Sequence, residues 1–347
     1  MRWFPMPQFS ADPADLATCR ALLCSGSRSF HAASLLLPRR VRDPATALYA
    51  FCREADDAID LGNDPAAALT NLYNRLDAVY EGEPYPLSVD RAFAATVAEF
   101  HIPKALPAAL IEGLAWDSQG RRYETFADLL DYAARVAGSV GVMMAVLMGA
   151  RDHETLARAS DLGVAMQLTN IARDVGEDAK AGRLFLPQTW LQDAGIDEAA
   201  FITAPQFSPE IGRLVQKLLD EAGQLYDRAA SGIARLPFDC RLGIGAARKI
   251  YAAIGTEIAE SFYDSVTTRA HVPGVRKLWL AARAAGAAFW PARSNGAGAL
   301  SANLFLINAA ALNSEIASSQ FIKLLDLFER LERTQREASG EASGRLA

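Results

Sequence analysis

Apolar residues recur at three- and four-residue spacing through almost the whole chain, and no segment alternates as a half-buried strand would. Leu130, Ala133, Ala134 and Ala137 make one such row; Leu214, Leu218, Leu219 and Leu225 begin another. Ala, Leu, Arg and Glu, all good helix formers, dominate the composition. Clusters of Gly and Pro at 62–65, 82–86, 103–107, 204–209 and 291–298 punctuate the pattern. These features predict an all-α protein, with one helical bundle over 15–290. A C-terminal extension over 291–347 is expected to hold one amphipathic helix near Gln320–Arg336 and a disordered tail.

With 347 residues and 51% hydrophobic content, the chain can bury a sizeable core. Its net charge of −6 opposes general nucleic-acid binding, which needs a basic face, so no nucleic-acid partner is expected. Cys19, Cys24, Cys52 and Cys240 show no paired metal spacing, and the first residues lack a secretory apolar stretch. They read as reduced thiols of a cytoplasmic protein. The longest apolar run, 136–150, is interrupted by Gly138, Ser139 and Gly141 and is shorter than the ~20 residues of a membrane span.

Two helical segments carry acids where a core helix should be apolar. In ALYAFCREADDAID, Asp56 and Asp60 are four apart and share a helix face, with Asp57 beside them and Arg53 one turn earlier. Leu48, Tyr49, Ala50, Phe51 and Ile59 flank them as buried positions. Clustered carboxylates repel without a cation, and hard oxygen ligands of this kind suit Mg²⁺. A solvated helix face with an Arg–Asp pair is the plainer alternative. In QLTNIARDVGEDAKAGRLFLP, Gln167, Asn170, Asp174 and Asp178 step by three, four and four along one stripe. Arg173 and Arg183 stand near, and the stretch from Gly182 to Pro187 reads as a covering loop. A polar helix–helix contact is the plainer alternative here. Together, the stripes predict two helices facing across a bundle around a metal–diphosphate cluster. A diphosphate oxygen ~4 Å from a carboxylate is repelled by about 4 kcal/mol at an effective dielectric of ~20, so divalent ions must intervene.

Five ordered blocks between Cys19 and Lys277 resemble the squalene/phytoene synthase family, most closely its phytoene-forming members from purple photosynthetic bacteria. They are GSRSFHAASLLLP, ALYAFCREADDAID, RRYETFADLLDYAARVAGSVGVMM, QLTNIARDVGEDAKAGRLFLP, and ARKIYAAIG with YDSVTTRAHVP. The resemblance implies an isoprenoid-synthase bundle with a central channel. It implies head-to-head condensation of two geranylgeranyl diphosphates, through a cyclopropylcarbinyl diphosphate, to phytoene. It implies Mg²⁺, or Mn²⁺, on Asp56, Asp57, Asp60, Asn170, Asp174 and Asp178, supported by Gln167. Ser27, Arg28, Arg53, Arg173 and Arg269 would meet or organise diphosphate; Phe30, Tyr49, Tyr132 and Tyr251 would line the channel, Tyr132 orienting substrate or diphosphate. Phe185 stands where the family usually has Tyr, and Ala134 replaces a common second aromatic.

Several alternatives stay open: a squalene or dehydrosqualene synthase acting on farnesyl diphosphate, a non-catalytic assembly factor of the same fold, and an unrelated helical binding module. No nicotinamide cofactor is expected. His31, His101, His153 and His271 read as structural or exposed, and Met143 and Met144 as core. The helix RKLWLAARAAGAAFW, with Arg276, Lys277 and Arg283 beside Trp279 and Leu280, fits either a membrane interface or packing on the bundle. The membrane reading would place the protein at the inner face. Oligomeric state is not legible.

Overall fold

Capping side chains set many of the helix starts. Asp12 Oδ1 accepts from Ala14 N at 2.7 Å, Asp152 Oδ1 from Thr155 N at 3.0 Å and Ser208 Oγ from Ile211 N at 3.3 Å. Thr125 and Asp128 satisfy each other's backbone donors in a reciprocal capping box. Each cap satisfies amides that the first helical turn leaves unpaired.

A computed structural model describes residues 10–60, 64–288 and 296–311, with the side chains of 28–29 and 285–288 also outside the description. The expected helix near Gln320–Arg336 and the expected tail lie outside the described residues. The helices are α1 (Pro13–Gly26), α2 (Arg28–Ser34), α3 (Arg39–Asp60), α4 (Pro65–Glu81), α5 (Ser88–Phe100), α6 (Ala105–Ser118) and α7 (Phe126–Ala133). A π-helical turn, Ala134–Gly138, joins α7 to α8 (Ser139–Leu147). Then follow α9 (His153–Lys180), α10 (Gln188–Asp193), α11 (Glu198–Thr203), α12 (Pro209–Ile233), α13 (Phe238–Glu260) and α14 (Gly274–Ala288). No strand occurs among the described residues, in agreement with the all-α reading.

α9 is the central helix, packed by α8, α12 and α13. Its Leu168, Ile171, Ala172 and Val175 are buried. α3 buries Leu48, Phe51, Ala55 and Ile59, and Phe51 stacks on Phe93 of α5 at 4.1 Å between centroids. The run Phe126–Leu147 is long and apolar enough to cross a membrane by length and composition, but more than half of it is buried inside the bundle. It starts earlier than the 136–150 run read from sequence because α7 passes through the π turn into α8 without a break. A further helical segment, Ser301–Ala311, lies where the sequence pattern predicted no helix. Its Ala302, Leu306, Ile307 and Ala310 are buried in the main core.

Candidate active site

The last turns of α3 carry the first acidic motif. Arg53 Nε donates to Asp57 Oδ2 at 3.0 Å, and its Nη1 reaches Asp56 Oδ2 at 3.4 Å. The C-terminal half of α9 carries the second. Arg173 donates to both oxygens of Asp174, at 2.8 and 2.5 Å. Asn170 Nδ2 lies 3.5 Å from Gln167 Oε1.

Arg183, in the loop after α9, joins the two motifs. Its guanidinium stands 3.4 Å from Asp60 Oδ1 and 3.4 Å from Asp178 Oδ1. The loop is held from outside by Arg122, which donates to the Gly182 carbonyl at 3.1 Å. Arg269 reaches Asp174 from far along the chain, at 2.8 Å, and pairs with Glu177 at 3.0 Å. A close backbone approach makes that possible: Gly176 N donates to Ser265 O at 2.9 Å, and a Cβ on Gly176 would lie 2.3 Å from Val266 O. Only glycine fits there.

The charges are uneven. Burial pushes the Asp56 carboxyl up, and the neighbouring Asp60 charge adds to the rise. Burial also pushes Asp178 up to about 6; Arg183 opposes this, while Asp174 reinforces it. Burial works on Asp174 too, but hydrogen bonds from Arg173 and Arg269 outweigh it and hold that carboxyl low.

Asp117, from the last turn of α6, escaped the sequence reading. It accepts a hydrogen bond from the Tyr132 hydroxyl at 2.6 Å and feels the charges of Arg183, Asp60 and Asp56. Burial pushes it up to about 7, against the Tyr132 hydrogen bond and Arg183. One signal was available: a helix C-terminus disfavours negative charge, so an acid there needs another reason. Phe185 stacks on Tyr132 at 5.3 Å and on Tyr123 at 6.1 Å, so the ring's packing role is filled without a hydroxyl.

The other expected residues sit close by. Ser27 caps α2, its Oγ accepting from Phe30 N at 3.2 Å. Phe30 stacks on Tyr251 at 5.1 Å and tilts against Tyr49 at 6.1 Å. Burial raises both tyrosines, Tyr251 to about 12. The Arg28 side chain lies outside the description. Arg53, Arg173 and Arg269, expected at diphosphate, are engaged with the carboxylates.

From this acidic region an apolar channel runs into the bundle. Phe30, Tyr49, Cys52, Gln167, Asn170 and Tyr251 line it near the acids, and Met166, Leu162, Val140, Met144 and Ile244 line it further in.

Among the described residues, no three Asp, Glu, His or Cys side chains form a ready-made metal cage. Mg²⁺ does not require one, because it takes one or two carboxylates and completes its shell with phosphate oxygens and water. The all-oxygen donor set on α3 and α9 therefore fits such an ion brought in with a diphosphate.

The family model "Squalene/phytoene synthase" matches residues 23–276. A phytoene synthase of Rhodobacter capsulatus is 57% identical over 78% of this chain and 81% of its own. One of Cereibacter sphaeroides is 48% identical over 96% of this chain and 98% of its own. A crystal structure of a dehydrosqualene synthase in complex with ligand superposes with a TM-score of 0.72 at 31% identity, covering 79% of this chain and 96% of that one. The two acidic helices, the channel between them and these likenesses agree: the chain belongs to the squalene/phytoene synthase family.

Proposed function

We propose that the chain is a prenyltransferase that condenses two geranylgeranyl diphosphates head to head, through a cyclopropylcarbinyl diphosphate, to phytoene and two diphosphates. The observation that carries this reading is the meeting of Asp60 and Asp178 at Arg183, beside an apolar channel lined by Asn170, Gln167, Tyr49 and Tyr251. Polar heads and long hydrocarbon tails find matching surroundings there. The two bacterial relatives bearing the name phytoene synthase support the substrate class.

Asp56, Asp57, Asp60, Asn170, Asp174 and Asp178 would hold Mg²⁺ or Mn²⁺, which supplies positive charge to the departing diphosphate. The guanidinium groups of Arg53, Arg173, Arg183 and Arg269 already place positive charge beside the carboxylates. As a diphosphate enters, these arginines exchange carboxylate for phosphate partners and stabilise the leaving group in a preorganised field. Phe30, Tyr49 and Tyr251 keep water from the allylic cation, and their ring faces attract it. Asp117 fixes the Tyr132 hydroxyl and accepts its hydrogen bond, so that this group is oriented before substrate arrives.

A hydrocarbon product leaves most readily into lipid. On α14, Val275, Leu278 and Trp279 are exposed beside Arg276 and Lys277, and Arg283 lies 4.6 Å over the Trp279 ring. That surface supports peripheral contact with an anionic inner membrane face.

Product identification tests the reading. Purified protein is incubated with Mg²⁺ and either farnesyl or geranylgeranyl diphosphate, with and without NADPH. The reading predicts C40 phytoene from the C20 donor, independent of NADPH. A C30 product as the main turnover, or none, contradicts it.

A further inference from the structure

The channel-facing row of α9 runs from Asn170 through Met166, Leu162 and Ala159 to Arg158 and Thr155. At 1.5 Å per residue, Arg158 lies about 18 Å along the helix from Asn170. A charged residue at the inner end of so apolar a channel needs an explanation. Arg158 is 3% exposed. Its Nε stands 3.3 Å from Asp161, which is fully buried, and its Nη2 donates to the carbonyls of Ala297 and Gly298 at 3.0 and 3.1 Å. Arg228 of α12 closes the same lock, 3.0 Å from Asp161 and 2.7 Å from the Gly298 carbonyl. The chain just beyond is anchored by Leu306 and Ile307 in the core. Gly232 of α12 makes room for the side chain, since a Cβ there would fall 2.3 Å from Arg158 Cβ.

We infer that Arg158 is the chain-length stop of the channel, fixed by Asp161, Arg228 and the 297–298 strap, and that it limits the prenyl tail the site accepts. This rests on the proposed prenyl diphosphate chemistry. An apolar stop can rotate aside. Arg158 cannot do so without giving up its ion pair with Asp161 and its bonds to the Ala297 and Gly298 carbonyls. That would leave its own buried guanidinium unpaired, and an uncompensated buried charge is costly. A longer tail therefore meets a barrier rather than a soft wall. The strap lies outside the 23–276 span of the family model, so the lock is built partly from this chain's own C-terminal segment.

The test compares kcat/KM for geranylgeranyl (C20) and geranylfarnesyl (C25) diphosphate in the wild type, Arg158→Ala and Arg158→Met. Small changes in pocket length are worth roughly 10- to 200-fold in discrimination. Arg158→Ala is expected to raise the C25/C20 ratio at least about tenfold, on that scale. Arg158→Met keeps much of the length but loses the lock, so it is expected to raise the ratio by an amount between the wild type and Arg158→Ala. A folded Arg158→Ala protein with the wild-type ratio overturns the inference. If that variant does not fold, the intact wild type decides: a geranylgeranyl diphosphate carrying a terminal diazirine should label the peptide containing Thr155–Ala159. Labelling found only elsewhere overturns the inference. Failure of the wild type to turn over the C20 substrate would instead sink the proposed function, a separately readable result.

Discussion

Asp60, the last residue of α3, and Asp178, near the end of α9, share one guanidinium, with Arg183 standing 3.4 Å from each. The two acidic motifs therefore form one electrostatic site, although well over a hundred residues separate them in sequence. Burial is what chiefly raises the Asp56 and Asp178 carboxyls, and the neighbouring charges of Asp60 and Asp174 add to the rise. Such a site is prepared for further cations.

Removing a carboxylate from either helix should disable turnover without unfolding the bundle. Asp57→Ala and Asp174→Ala are each expected to lower kcat/KM by at least about 10²-fold, the scale on which a single charge-stabilising group acts. Steady-state product formation and far-ultraviolet circular dichroism check this together. Near-normal turnover in either variant would show that the carboxylate is not part of the site.

Arg183→Gln should unlink the motifs. Its expected effect is a fall in turnover of about 10²-fold with helical content unchanged, since both Asp60 and Asp178 lose their shared partner. A variant with wild-type rates would assign Arg183 to loop packing alone.

The Asp117 carboxyl gives a pH prediction. Its pKa is raised in the folded chain to about 7 from 3.8, so between those values the native state binds more protons than the unfolded state. Stability must then fall as pH rises through that window, and the loss is complete above about 7. Denaturant unfolding of metal-free protein between pH 4 and 8 should show this decline, with Asp56 and Asp178 contributing in the same direction. Asp117→Asn is expected to flatten it. An unchanged pH dependence in that variant would remove Asp117 as a contributor.

The Tyr132–Asp117 contact predicts a division between binding and chemistry. Tyr132→Phe keeps the ring stacked on Phe185 and removes only the hydroxyl held by Asp117. It is expected to lower kcat by about 10²-fold while KM changes little, the pattern of a group that acts in the transition state. A rise in KM alone would assign the hydroxyl to substrate binding.

The helical class and both acidic stripes were legible because each is a local pattern, fixed by the period of a helix. Asp56 and Asp60, or Asn170 and Asp174, announce a common face by spacing alone. Asp117 has no such partner in its own helix; its meaning comes from Tyr132, across a turn, and from charges on α3 and the 183 loop. The reach of Arg269 to Asp174 depends on Gly176 admitting the backbone of Ser265 and Val266, a contact no spacing encodes. The helix Ser301–Ala311 follows a Gly- and Pro-rich stretch that reads as an ending. Its place is set instead by tertiary burial of Leu306 and Ile307 and by the Arg158–Asp161–Arg228 group.

Pyrophosphate affinity at saturating Mg²⁺, measured by calorimetry across a double-mutant cycle of Asp57→Ala and Asp174→Ala, tests most directly whether α3 and α9 grip the same group. A shared grip predicts strong non-additivity, with the double variant binding no more weakly than the poorer single one. Losses that simply add would mean two independent sites and would contradict the account.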